Sequence, residues 1–302
     1  MTRCSSAGVV VALAAALAAQ ETPLAAFDFA APRVSIALPP ALREVSGLAA
    51  VDRDTVACVQ DEVGALYFVD LRSATIVRKV PFGPRGDYEE LARVDDAFWV
   101  LRSDGQLFAL APRGRGYAIA RTLQVGDGAS EFEAVAFDPL ARHFLAAPKH
   151  APAGYARHER PLFAIDPATG ERAERPVLVW SRERIEADAA QRQIALPHRE
   201  GNHGQDKVAL ELRPSSLAVQ PDTGRLFVLS AADALLLVFA RDGALVAAQA
   251  LPRDQLPQAE AIAFLPDGAL AVASEGGDGA GRVVVFARSE PVRPASGPAS
   301  AR

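Results

Sequence analysis

The chain has 302 residues, half of them apolar and 23% charged, with a formal charge of -5 and an isoelectric point near 5.6. That make-up excludes a disordered polyelectrolyte and fits a globular chain able to bury a sizeable core. It also argues against nucleic acid as a partner, because phosphate binding needs a basic surface and the arginines here are scattered among aspartate and glutamate.

At the N-terminus, Arg3 precedes an apolar stretch from Gly8 to Ala19, with small residues at Ala16 and Ala18 ahead of Gln20. A charged start, a short apolar core and a small-x-small site predict a cleaved signal peptide over residues 1–19, hence export to the periplasm or the exterior. An apolar run of about a dozen residues is too short for a hydrocarbon core that needs roughly 20, so the mature chain is not expected to span a membrane. Cys4 precedes the apolar core, whereas a lipoprotein cysteine would follow it. Cleavage leaves Cys58 as the sole thiol, in an alternating segment where an inert buried thiol is expected. Residues 20–32 read as a leader into the domain.

A short phrase then recurs: SGLA from Ser46, EELA from Glu89, EAVA from Glu133, SSLA from Ser215 and EAIA from Glu260. The starts lie 43, 44, 82 and 45 residues apart, and roughly 40 to 45 residues is the length of one four-stranded propeller blade. Each phrase is followed by short Val-, Leu- and Phe-rich runs bounded by Asp, Gly and Pro, which read as strands. Turn chemistry at Asp138-Pro139, at Pro221 to Gly224 and at Pro266 to Gly268 follows the first strand of its unit. The sequence therefore predicts an all-β, five-bladed β-propeller over residues 33–288. Six blades is the alternative if the 82-residue interval holds two.

Strand counting favours one blade there. Runs at Glu133 to Phe137, His143 to Ala147, Leu162 to Asp166 and Pro176 to Trp180 already complete it. The polar stretch over residues 181–213 then becomes a helical or irregular insertion, with Val208 to Leu212 as a candidate extra strand. The last unit supplies three strands, and the alternating Val34, Ile36 and Leu38 supply the missing fourth, closing the ring from the N-terminal side. From Ser289 the chain turns to Pro, Ser and Ala, and reads as a disordered tail over 289–302.

In a propeller the first strand of each blade lines the channel, so the phrase's first residues, Ser46, Glu89, Glu133, Ser215 and Glu260, converge at one mouth. Residues after the second strands open at that mouth too: Asp61, Glu62, Arg102, Asp104, Lys149, Asp233, Glu275 and Asp278. Three carboxylates on one narrow axis repel unless they bind a cation or take up a proton. A hard, oxygen-seeking cation such as Ca²⁺ suits them; the rival reading has them capping strand starts or bonding to Lys149 and Arg102. Glu90, next to Glu89 in a strand, should face the opposite way. Metal-binding histidine pairs of the H-E-x-x-H type, a G-x-S-x-G elbow and a P-loop are all missing from the sequence. His150, His158, His198 and His203 fall in loops or the insertion.

The ordered segments SGLA, QDEVGALYFVDL, GDYEELA, EFEAVAFDP, RPSSLAV and QAEAIAFLPDG with SEGGDG resemble the bacterial SdiA-regulated β-propeller family, which is distantly similar to NHL-repeat proteins. The resemblance spans about residues 33 to 288. It implies a five-bladed propeller with a calcium site and no established activity. Glu89, Glu133 and Glu260 match the family's recurrent Glu, and Ser46 and Ser215 its recurrent Ser. Glu90, Ala134 and Ala261 stand where relatives commonly carry Gly. The expected function is an exported calcium-binding recognition module for an unidentified ligand or protein. A calcium-dependent hydrolase of lactones, esters or phosphoesters and a metal-free interaction module are the alternatives.

Overall fold

The computed structural model describes residues 23–126, 130–200 and 206–289. The expected signal peptide, His203 and all but the first residue of the expected tail lie outside them. Five four-stranded antiparallel sheets follow one another around a ring. Blade 1 is β2 (Val45–Ala50), β3 (Thr55–Gln60), β4 (Val63–Asp70) and β5 (Thr75–Arg85); blade 2 is β6 (Tyr88–Val94), β7 (Ala97–Arg102), β8 (Gln106–Arg113) and β9 (Gly116–Gln124). Blade 3 comprises β10 (Phe132–Asp138), β11 (His143–Pro148), β12 (Glu159–Ile165) and β13 (Leu178–Ser181), and blade 4 comprises β16 (Ser216–Val219), β17 (Leu226–Ser230), β18 (Leu235–Phe239) and β19 (Leu245–Ala250). The long interval thus holds a single blade.

Blade 5 contains β20 (Gln258–Phe264), β21 (Leu270–Glu275) and β22 (Arg282–Phe286), completed on the outside by β1 (Val34–Ala37), with Val34 opposite Val285 and Ala37 opposite Arg282. The N-terminal strand closes the ring as its alternation foretold. The packed domain starts earlier than residue 33, because Leu24 and Phe27 are buried between blades 4 and 5, Phe27 bridges Arg288 and the Ser289 N–H donates to the Ala26 carbonyl.

Alternation sends each strand's two faces into two different interfaces, and buried clusters fill the gaps between neighbouring blades all round the ring. Phe98 enters the cluster between blades 1 and 2, while adjacent Trp99 enters that between blades 2 and 3. Cys58 lies in the interface of blades 1 and 5, and burial pushes its thiol up to about 12, so it is inert.

The insertion opens with helix α1 (Arg182–Arg192), whose first turn is capped by the Ser181 hydroxyl accepting from the Arg184 N–H at 3.2 Å. Ile185 and Ala189 bury its inner face, and Asp188 accepts from the Leu245 N–H at 2.9 Å, pinning the helix to blade 4. A two-stranded ribbon, β14 (His198–Glu200) with β15 (Asp206–Val208), follows. The extra strand expected over Val208 to Leu212 ends at Val208. Beyond it, Leu210 and Leu212 turn inward as core, and Asp233 accepts from the Glu211 and Leu212 N–H groups, which a ladder would otherwise use.

Candidate functional site

The recurring phrase carries a backbone irregularity. Pairing of the two innermost strands slips by one residue at Ser46 in blade 1, Glu89 in blade 2, Glu133 in blade 3 and Glu260 in blade 5. In blade 4 the Ser215 N–H bonds the Leu229 carbonyl, although Leu229 is already the partner of Ser216. Each first residue is therefore the extra residue of a β-bulge, which bends the strand and re-aims the side chains beside it. Simple alternation fails at that point.

The bulge turns Glu90 away from the direction that simple alternation predicts. It does not face away from the channel region that Glu89 addresses; it is 1% exposed, at the centre of the ring. The equivalent residues in the other blades are Gly47, Ala134, Ser216 and Ala261, and their small side chains leave room for one carboxyl. A Cβ on Gly47 would come within 2.7 Å of the Leu91 backbone nitrogen, so that position accepts no side chain without moving blade 2. Glu90 Oε1 accepts from the Leu91 N–H at 2.9 Å, Oε2 accepts from the Ser216 hydroxyl, and backbone N–H groups of Leu48 and Leu217 also bond to it. Ser216 in turn accepts from the Ile262 N–H at 3.1 Å. One carboxyl thereby ties blades 1, 2 and 4, and blade 5 through Ser216. Burial pushes it well above the ordinary carboxylate range, against the pull of these donors.

Below this plug the channel is an apolar funnel of about 330 Å³ lined by residues such as Leu48, Leu91, Val135, Leu217 and Ile262. Above it lies the acidic mouth. Burial first, then repulsion from Glu133 and Asp87, raises the Glu89 carboxyl to about 9. Glu260 is raised to about 8 by burial and Glu133, and Glu275 to about 7 by burial, Asp61 and Glu44. Glu133 is raised by burial as well, but Lys149 ion-pairs with it and opposes the shift. Burial works against the Lys149 ammonium, yet Glu133, Glu89 and Glu260 together hold it above its usual value. Asp61 is raised by burial, Glu44 and Glu62, and its buried Oδ1 has no hydrogen-bond partner among the described residues.

The two serines of the phrase have a different task. Ser46 Oγ donates to the Tyr88 carbonyl at 2.6 Å and Ser215 Oγ to the Ala259 carbonyl at 3.0 Å. Each clasps the residue just before the next blade's glutamate. Arg102 and Asp104 form a two-pronged pair at 3.0 and 2.6 Å, Glu62 pairs with Arg85, and Asp233 is committed to the insertion's backbone and Ser230. Asp278 is exposed in a glycine turn. The inner mouth thus brings together Glu89, Glu133, Glu260, Glu275, Asp61 and Lys149. Sequence reasoning missed Glu44, Asp87 and Glu131, which add to the acidic field. Each stands two residues before a phrase, where alternation returns to the same side.

Among the described residues, no group of three or more His, Cys, Asp or Glu side chains is already gathered closely enough to hold a metal. The donor chemistry nevertheless suits a hard cation: the mouth offers carboxylate oxygens, mutual repulsion and an orphaned Asp61 oxygen. Glu133 would first have to release Lys149.

No protein-family model matches the chain, and no curated protein matches it in sequence. Among solved structures it is similar to a glutaminyl cyclase from Myxococcus xanthus, with 15% identity and a TM-score of 0.53 over 84% of this chain and 95% of that one. It is similar also to the PQQ-bound aldose sugar dehydrogenase of Streptomyces coelicolor, with 14% identity and a TM-score of 0.52 over 85% and 99%. Both neighbours are β-propeller enzymes, and at such identity the likeness extends to the fold alone.

Proposed function

We propose that the protein is an exported recognition propeller, of the SdiA-regulated kind, whose acidic mouth binds a divalent cation, Ca²⁺ first, and presents it to a ligand or protein partner. The observation that carries this reading is the inner mouth itself: Glu89 and Glu260 are pushed to about 9 and about 8 by burial and by Glu133, with a single ammonium, Lys149, among them. A doubly charged cation relieves that repulsion better than one lysine. The residues that would hold it are Glu89, Glu133 and Glu260, with Glu275 and Asp61 at the rim.

The test is calcium titration of metal-stripped protein, followed by calorimetry and thermal melting. Saturating calcium should raise the melting temperature, since a ligand at 100 times its Kd stabilises by about 2.7 kcal/mol. Glu133→Gln with Glu260→Gln should abolish the rise, and Lys149→Met should tighten binding by freeing Glu133. A flat titration with both wild type and Lys149→Met would sink the reading. Export is checked separately, by sequencing the N-terminus of the protein recovered outside the cytoplasm; a retained Met1 would count against it.

A further inference from the structure

Beside the acidic mouth lies a second cavity, of opposite character and about 750 Å³, a size typical of small-molecule sites. Its walls come from the loop between β11 and β12, the start of α1, the segment leading into β16 and the loop after β19. Five arginines line it: Arg157, Arg160, Arg182, Arg213 and Arg253. In a chain of net charge -5 that concentration needs a reason.

The carboxylates at hand do not supply one. Asp233 spends its oxygens on the Glu211 and Leu212 N–H groups and the Ser230 hydroxyl. Glu211 pairs with Arg213 at 2.6 Å, and Arg182 pairs with Glu186 outside the cavity lining at 3.3 Å. Arg157, Arg160 and Arg253 have no ion pair among the described residues.

Arg160 is the decisive member. It is 3% exposed, and its guanidinium is clamped by backbone carbonyls: Nε donates to Lys149 at 2.9 Å, while Nη1 donates to Arg157 at 2.9 Å and Glu159 at 2.8 Å. Nη2 has no hydrogen-bond partner among the described residues. Burial and then Arg213 hold this guanidinium below its usual value, and Asp233 opposes them only through space, without an ion pair. A buried guanidinium so placed is costly, and here it is held rigidly, with one edge left over in a cavity. The positive field reaches the neighbours: His150 and His158 are held below the ordinary histidine value by burial and then by Arg213 and Arg160, and by Arg182 and Arg157, respectively.

We infer that this cavity is an oxyanion site for the carboxylate or phosphate group of a small ligand, with Arg160 Nη2 at its base and Arg157, Arg213 and Arg253 around it. The planar fork of arginine matches both groups. Arg213 and Arg253 also border the pocket that contains Glu133, Lys149 and Glu260. A ligand anchored here by its anion therefore extends toward the mouth, although the anion site needs no cation to form.

The experiment is isothermal titration of protein passed over a chelating resin, at low ionic strength, with inorganic phosphate in one arm and succinate in the other. The variants are Arg160→Gln, the double variant Arg213→Gln with Arg253→Gln, and, as a control for general charge, Arg78→Gln on the outer strand of blade 1. The expected result is saturable binding of at least one anion, weakened tenfold or more by the double variant and unchanged by Arg78→Gln. The arm that binds identifies the group. Arg160→Gln should abolish binding if it folds; the double variant decides the matter if it does not. Absence of saturable binding of both anions to wild type, or equal affinity in wild type and double variant, overturns the inference. Because no calcium is present, neither result depends on the cation site.

Discussion

Replacing Glu90 by glutamine changes one oxygen to an amide and leaves the volume nearly untouched, yet the structure requires it to be harmful. Every group that meets the carboxyl is a donor: the N–H groups of Leu91, Leu48 and Leu217 and the Ser216 hydroxyl, whose own acceptor side is taken by Ile262. A carboxyl that burial keeps protonated still accepts on both oxygens, whereas a glutamine offers one acceptor oxygen and an NH₂ that accepts nothing and must face donors. At least one buried donor then loses its partner, at about 1–3 kcal/mol each. Glu90→Gln should cost about 1–3 kcal/mol on that basis. Glu90→Ala strands all four donors and opens an axial void, and should cost more than Glu90→Gln, at about 1–3 kcal/mol for each buried donor left without a partner. Equilibrium urea denaturation, with the unchanged slope m as evidence that the folded state is intact, measures both. A Glu90→Gln protein as stable as wild type would refute the donor count, because it would mean that the plug acts by shape alone.

Stability should fall as pH rises from about 5 to about 9. Glu275, Glu260 and Glu89 have folded-state values of about 7, about 8 and about 9, so the native state holds protons that the unfolded chain has already lost above its ordinary carboxylate value, and this stabilisation disappears as pH climbs through those values. Carboxyls held low by arginine, such as Asp104 and Asp138, act with the opposite sign and only below about pH 4. Urea midpoints at pH 5, 7 and 9 test the slope, and a flat or rising trend contradicts it. Ser46→Ala and Ser215→Ala should each lose about 1 kcal/mol, the usual net worth of one hydrogen bond, and a Ser46→Thr variant that keeps the hydroxyl should lose less. Ile36→Asp, in the closing strand that packs on the cluster between blades 1 and 5, should destabilise by about 2 kcal/mol or more, in line with the loss of a half-buried aliphatic and the burial of a charge. Unaltered thermal melting would show that β1 is dispensable.

The fold was legible because its cues are local. Alternating Val34, Ile36 and Leu38 announce a strand, the turns at Pro221 to Gly224 and Pro266 to Gly268 announce hairpins, and residues 182–192 lack a strand's alternation and form α1. Glu89, Glu133 and Glu260 were legible as converging groups because the repeat fixes where each first strand begins. Glu90 was not, since a bulge breaks the very alternation used to aim it. Its signal was present in another form: Gly47, Ala134, Ser216 and Ala261 are all small, and one large residue in such a ring must fill the space the others vacate. The arginine cavity gave no warning, because Arg160 on β12 and Arg213 and Arg253 on loops come from segments far apart in the chain.

The seam in blade 5 sets an order of events. Val34 pairs with Val285 and Ala26 bonds to Ser289, so contacts separated by some of the greatest distances along the chain are the ones that seal the circle. Blades 1 to 4 need only neighbours in sequence, whereas blade 5 must wait for both ends to meet, and such non-local pairing forms slowly. Until it does, the outer edge of β22 is an open template for another chain. The last step of assembly is thus also the point at which one molecule can most readily be mistaken for its neighbour, and the two ends, once joined, leave the ring side by side.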